Sequence, residues 1–301
     1  MRITEAGKVT EGIWFLGSEE SGLYLVEGSS SSMLVSSGMS WLADDVLEQM
    51  KRFNLDEERI EKILILHAHF DHIGLVPLFT RRLPEAKVYG AAAAWKAIGD
   101  PRIMERVNHY NRKMAKRYGR PNIFESYDLE WRDDIKGFTV SEGDRLDCGD
   151  LGIEIIEIPG HSPCSIAAYE PSTKTLFPSD GGGIPFKDTI IPSGTFNYTL
   201  FQESLEKLGL LEVDHFCADH GGYIKGEDAR QFVRKAMDAA RDFRKLMERV
   251  YRRSGSVEAA VGRLVSIALA ARPDYFLNRD ILEGIYLQMI RHVASRMGEA
   301  G

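Results

Sequence analysis

The sequence predicts an α+β fold, a sheet-and-helix domain closed by a helical cap at the C-terminus. Three observations predict it. From residue 13 to about residue 180, short strand-like runs alternate with helical patterns. The residues able to carry metal chemistry stand where those strand runs end. From Lys225 onward the periodicity is helical throughout.

The elements follow in order. Gly22-Leu-Tyr-Leu-Val-Glu and Met33-Leu-Val read as strands parted by Gly28 and a run of serines, a turn signal. Residues 41–53 read as a helix, and Lys62-Ile-Leu-Ile-Leu is an aliphatic run that suits a buried strand. Residues 73–83 and the polar stretch 100–120 read as helices. Strand-like text returns at Leu151-Gly-Ile-Glu-Ile-Ile-Glu-Ile, Ser165-Ile-Ala-Ala-Tyr and Lys174-Thr-Leu-Phe. A helix is expected over 200–211 and a last strand over 213–218. Beyond it, Phe232, Val233, Ala236, Met237, Ala240, Phe243, Met247 and Val250 share one helical face. After Gly255 a second helix runs to about Ala271, and Ile281, Leu282, Ile285, Tyr286, Met289, Ile290 and Val293 mark a third. The expected organisation is a catalytic domain over 1–224, with a helical insertion at 100–135, and a helical cap over 225–301.

Composition limits the function. The 301 residues are 44% hydrophobic, enough for a full core. A net charge of −7 argues against a general nucleic-acid binder, which needs basic excess to neutralise phosphates. Cys148, Cys164 and Cys217 are sparse and unpaired in spacing, the pattern of a reducing compartment. The first residues lack a signal peptide's apolar stretch, and residues 257–271 carry Glu258 and Arg263, unlike a membrane span. A cytoplasmic location is expected. The sequence leaves a homodimer open.

The chemistry lies in the histidines, five of the eight falling inside three short motifs. His67-Ala-His69-Phe-Asp71-His72 follows a buried strand directly. In extended backbone alternate side chains share a side, so His67 and His69 can chelate one ion, while the turn after them swings Asp71 and His72 toward a second. Imidazole mixed with carboxylate suits zinc, iron or manganese. Pro159-Gly-His161-Ser-Pro closes another strand, as does Ala218-Asp-His220-Gly-Gly. Asp180, before three glycines, has two carboxylate oxygens with which to bridge two cations.

This ordered set, H-x-H-x-D-H, G-H-S-P, S-D-G and D-H-G-G, resembles the metallo-β-lactamase superfamily, which includes glyoxalase II and lactonases. The resemblance implies an αββα sandwich with two divalent transition-metal ions. His67, His69 and His161 would hold one ion, Asp71, His72 and His220 the other, and Asp180 would bridge them. Family members usually carry glycine where Ser179 and Cys164 stand. A closer resemblance, to the quinolone-signal thioesterases acting on an aroylacetyl-coenzyme A, rests on His72-Ile-Gly-Leu-Val-Pro-Leu, Arg82-Leu-Pro-Glu-Ala-Lys-Val, Ala94-Trp-Lys, Glu105-Arg-Val-Asn and Ser204-Leu-Glu-Lys-Leu. It implies a thioesterase whose closing helices cover the site, with Phe276, Tyr286 and Met289 restricting the acyl group.

The expected reaction is attack of a metal-bridging hydroxide on a thioester, ester or lactone carbonyl, with Asp71 as proton acceptor. His109, Tyr110, Tyr198, Tyr223 and Lys225 are candidates for the substrate cleft through their nearness to the motifs. Cys164, Cys217 and His215 read as structural. Arg102, Arg106, Arg112, Lys113, Lys116, Arg117 and Arg120 read as a solvated helix face, the alternative being a dock for coenzyme A phosphates. Two other functions are weighed. A di-iron redox role calls for glutamate in place of His69, and a regulatory protein acting through protein contacts would retain only vestigial hydrolysis.

Overall fold

The computed structural model describes residues 1–274, 277 and 279–298. Two seven-stranded sheets form its centre. The first runs in the order Gly7–Thr10, Ile13–Gly17, Gly22–Glu27, Ser32–Val35, Ile60–Ile65, Lys87–Ala91 and Gly137–Val140. Its first four strands are antiparallel, and the last three join in parallel. Parallel neighbours require long crossovers. The helices Ala43–Arg52, Val76–Arg82, Ala92–Ile98 and Pro101–Arg117 supply them. The first of these has Asp44 and Asp45 in its opening turn and Lys51 and Arg52 in its last, in accord with the helix dipole. Its Gln49 is locked to Gly17 by a reciprocal pair of hydrogen bonds of 2.7 and 2.9 Å.

The second sheet runs Arg2–Ile3, Tyr223–Lys225, His215–Cys217, Thr175–Phe177, Ile166–Glu170, Gly152–Glu157 and Arg145–Asp147. The sheets pack face to face. Tyr24 sets its ring edge-on to Phe177 at 5.2 Å and donates its hydroxyl to the Ala218 carbonyl at 2.6 Å. Phe15 meets Tyr223 at 5.9 Å in the same interface.

The helix Glu227–Ser254 completes the sandwich. Phe232 lies on Phe216 of the second sheet at 4.1 Å between ring centroids, and Ala229, Val233, Ala236 and Ala240 are buried beside it. It is thus the fourth layer of an αββα sandwich, and the helices Val257–Ala271 and Arg279–Gly298 pack onto it. Gly255 ends it in the left-handed region at φ 71°, where glycine carries no steric penalty. The Ser256 hydroxyl caps the next helix by accepting from Ala259 N. No described helix is long and apolar enough to cross a membrane.

Differences from the sequence reading are local. The expected boundary at residue 225 falls inside the last strand, because Lys225 pairs with His215, and the helices begin at Glu227. The helix expected from residue 73 starts at Val76, since residues 70–75 are held in a turn by other partners. Strands Lys87–Ala91 and Gly137–Val140 were not legible, being short, interrupted by glycine and partly exposed.

Replacing Phe232 with alanine should cost about 3–5 kcal/mol of stability by urea unfolding, the scale for deleting a buried aromatic. A loss below about 1 kcal/mol would mean that this helix is not an integral layer.

Candidate metal centre

Four strands end on one edge of the sandwich, and each carries its chain into the same space. Ile60–Ile65 leads to His67, Gly152–Glu157 to His161, Thr175–Phe177 to Asp180 and His215–Cys217 to His220. The two sheets are joined at this edge by a hydrogen bond from Ile166 N to Leu66 O at 2.9 Å.

The donor atoms converge in two groups. His69 Nδ1 lies 3.2 Å from His67 Nε2 and 3.0 Å from His161 Nε2. His220 Nε2 lies 3.3 Å from His72 Nε2 and 3.5 Å from Asp71 Oδ2. Asp180 faces both groups, with Oδ2 3.5 Å from His161 Nε2 and 3.6 Å from His72 Nε2, and Oδ1 3.8 Å from His220 Nε2. Ligands held about 2.0–2.2 Å from a tetrahedral ion stand about 3.3–3.6 Å from one another. The observed spacings run from 3.0 to 3.8 Å, around that shell, and the mixed nitrogen and oxygen donors suit zinc, iron or manganese.

The outer ring nitrogens fix which nitrogen is presented. His161 Nδ1 donates to Ser193 O at 2.7 Å, and His220 Nδ1 to Glu20 O at 2.6 Å. His72 Nδ1 donates to Asp219 Oδ2 at 2.7 Å, and His67 Nδ1 lies 3.2 Å from Ser179 Oγ. With the proton on Nδ1, each Nε2 offers a lone pair inward. His69 differs, ligating through Nδ1 and facing the open side.

Electrostatics favour neutral imidazoles at His67, His69 and His161, the charged form of His72 and His220, and ionised carboxylates. Burial and neighbouring histidines push His67 well below the usual histidine range, and burial with His161 takes His69 to about 3. Burial alone would depress His72 and His220, but Asp71 and Asp180 outweigh it and hold both above the usual range. Burial would raise Asp71 and Asp180, yet the surrounding histidines keep both carboxyls well below the carboxylate range.

The ligand loop is clamped from behind. Ser37 N donates to His72 O at 2.9 Å, and Gly74 N to Gly38 O at 2.7 Å. A Cβ on Gly74 would stand 2.4 Å from Ser40 N, so only glycine admits this approach. The helix Pro101–Arg117 contributes Asn111, whose amide donates to Phe70 O at 3.0 Å and accepts from Ser40 N at 3.1 Å. Trp131 Nε1 donates to Ile73 O at 2.8 Å. Residues 100–135 therefore hold the loop bearing His67 to His72.

All seven expected ligands meet here, whereas most of the expected cleft residues do not. Tyr110 stacks on Phe70 at 5.2 Å and so stands beside the ligand loop, with exposed His109 next to it. Tyr198 is fully buried with its hydroxyl on Ala240 O, and Tyr223 is buried with its hydroxyl on Lys8 O. Tyr286 packs on Phe243 at 5.8 Å, and Met289 is buried in the same helical core. Tyr198 and Tyr223, singled out for nearness to motifs, and Tyr286 and Met289, expected to roof the site, are all packing residues turned into the interior. Lys225 is a half-buried strand residue, and Phe276 lies outside the described residues. Cys148, Cys164 and Cys217 are free and buried, and His215 Nδ1 is held by Thr173 O at 3.1 Å. Ser36, Ser179, Asn111, Ser193 and Asp219 escaped the sequence reading. Only Asp219, a carboxylate adjoining a candidate ligand histidine, and Ser179, standing where family members usually carry glycine, left a signal there.

Fold and donor set together make an αββα protein whose His/Asp cluster could hold metal. A family model described as the metallo-beta-lactamase superfamily matches residues 23–220, and the chain belongs to that superfamily of hydrolases, whose members are generally metal-dependent. It is similar to a hydroxyacylglutathione hydrolase of Legionella pneumophila, 28% identical over 136 residues, covering 44% of this chain and 39% of the relative. The chain thus spans about two fifths of that relative's length. It is also similar to the hydroxyacylglutathione hydrolase GloC of Haemophilus influenzae, 24% identical over 62% of this chain and 80% of the relative. A beta-lactamase domain protein from Burkholderia ambifaria shares the fold, with TM-score 0.70 and 18% identity over 99% of this chain and 88% of its own.

Protein stripped by chelator and reconstituted with zinc, iron or manganese should hold close to two ions per chain by mass spectrometry. Fewer than one with every metal would contradict a two-ion site.

Proposed function

We propose that the protein is a dinuclear metal-dependent hydrolase that cleaves an acyl thioester or ester, with coenzyme A-type thioesters as its substrate class. The observation that carries this reading is the convergence of five imidazoles and two carboxylates in two groups with Asp180 facing both. Two divalent ions there, zinc or iron or manganese, would supply a water acidified toward neutral pH and an electrophile for the substrate carbonyl.

The chain's own residues do the rest. His67, His69 and His161 would hold one ion and Asp71, His72 and His220 the other. Asp71 has the most open of the cluster's carboxylates, 14% exposed against 9% for Asp180 and 1% for Asp219. It stays ionised beside His72 and His220, which suits it to orient the attacking water; as the most open carboxylate it is also the acceptor we assign for the water's proton. A thiolate leaves without a general acid, since its conjugate thiol is acidic compared with an alcohol, and no further acid is needed at the site. Two relatives named as hydroxyacylglutathione hydrolases support a thioester, because a hydroxyacylglutathione carries its acyl group on sulfur. We place the protein in the cytoplasm, where its three buried cysteines would stay reduced.

The basic helix carries a weaker argument. Arg102, Arg112 and Arg120 are paired with Asp100, Glu130 and Asp45, while Arg106, Lys113, Lys116 and Arg117 are exposed. Three of its charges are thus already used within the chain.

The test is hydrolysis of acyl-coenzyme A and of aryl esters by metal-loaded protein, with and without chelator. Chelator-sensitive turnover that favours the thioester is expected, and no turnover of either would contradict the proposal. Asp71→Asn should lower kcat by about 10²–10⁴-fold; a near-normal rate with both ions bound would remove Asp71 from the chemistry. Charge reversal at Lys113, Lys116 and Arg117 should leave KM unchanged for both substrates. A rise for coenzyme A thioesters alone would make that face a phosphate dock.

A further inference from the structure

Among the described residues, five other than glycine adopt positive φ: Ser36, Asn54, Lys174, Ser179 and Lys187. Asn54, Lys174 and Lys187 are on the surface or half-buried, but Ser36 and Ser179 are fully buried, at φ 62° and 48°. A left-handed serine in the interior is a conformation glycine would adopt more easily, so some other contact has to hold it there. Both serines spend their hydroxyl proton on the same atom. Ser179 Oγ donates to Asp219 Oδ2 at 2.5 Å, and Ser36 Oγ donates to it at 2.9 Å.

The same oxygen accepts from His72 Nδ1 at 2.7 Å, while Asp219 Oδ1 is buried without a hydrogen-bond partner. The carboxylate is thus held by three donors on one oxygen. Ser179 alone does more. Having donated its proton to Asp219, its oxygen is free to accept, and His67 Nδ1 stands 3.2 Å away. His161 and His220 are oriented by separate backbone carbonyls, those of Ser193 and Glu20. His67 and His72, from different halves of the centre, are therefore oriented through one connected group, His67–Ser179–Asp219–His72.

Resting on the two-ion reading above, we propose that Ser179 is a positioning residue for both ions. Its hydroxyl holds His67 in the Nδ1-protonated form and fixes the carboxylate that does the same for His72. Ser36 supports Asp219 but touches no ligand, so it serves only the His72 half. Outer partners of this kind are worth about 10–100-fold in metal affinity.

The test is calorimetric titration of chelator-stripped, full-length protein with zinc, yielding two affinities, alongside urea unfolding of the stripped protein. Ser179→Ala keeps the Cβ and removes only the hydroxyl. It should weaken both affinities by about tenfold or more, whereas Ser36→Ala should weaken one. Ser179→Gly, which suits the backbone, should fold and repeat the double loss, securing the result if the alanine variant is unstable. Wild-type affinities in both Ser179 variants, or loss of a single affinity, would overturn the proposal. So would a wild-type chain that takes up fewer than two zinc ions. A wild-type chain that takes up two ions but hydrolyses no thioester would sink the proposed substrate class, leaving these affinities to decide the role of Ser179.

Discussion

Everything at this site depends on one electrostatic arrangement, the burial of imidazole lone pairs that point at one another. His67, His69 and His161 bring nitrogens within 3.0–3.2 Å, and when each presents a bare nitrogen, as a metal ligand must, no hydrogen bond joins them. Such a grouping is favourable around a cation and costly otherwise. The fold is organised to enforce it. Four strand ends deliver the histidines and Asp180, hydrogen bonds to fixed acceptors hold the rings, and residues 100–135 brace the loop from behind.

The carboxylates divide the work. Asp180 faces both groups of nitrogens from a short turn between the third strand of the edge and a glycine run, and its carbonyl accepts from the Ser193 hydroxyl. Ser193 in turn holds His161 through its own carbonyl, so one residue steadies ligands from two different strands. Asp71 remains on the more open side with His69.

Much of this was legible in the sequence, for a physical reason. Strand ends are marked by apolar runs, and metal ligands are rare residue types in short, dense motifs, so His67 to His72, His161, Asp180 and His220 stood out. The αββα order followed from resemblance, and the superfamily match agrees with it. The residues that orient the ligands were not legible. Ser36, Ser179, Ser193 and Asn111 are common side chains whose roles arise from long-range contacts, as between Asn111 and Phe70. The converse error was to take nearness in sequence for nearness in space. Tyr198 and Tyr223 adjoin site motifs but point into the core, and Tyr286 and Met289 serve the helix packing rather than a cleft.

The most direct measurement is diffraction at the absorption edge of the metal, from crystals of the zinc-reconstituted protein. Two anomalous peaks about 3.5–4 Å apart are expected, one within about 2.0–2.2 Å of His67 Nε2, His69 Nδ1 and His161 Nε2. The other should lie at a similar distance from Asp71, His72 and His220, with Asp180 reaching both. A single peak, or ions bound away from these seven residues, would contradict the account.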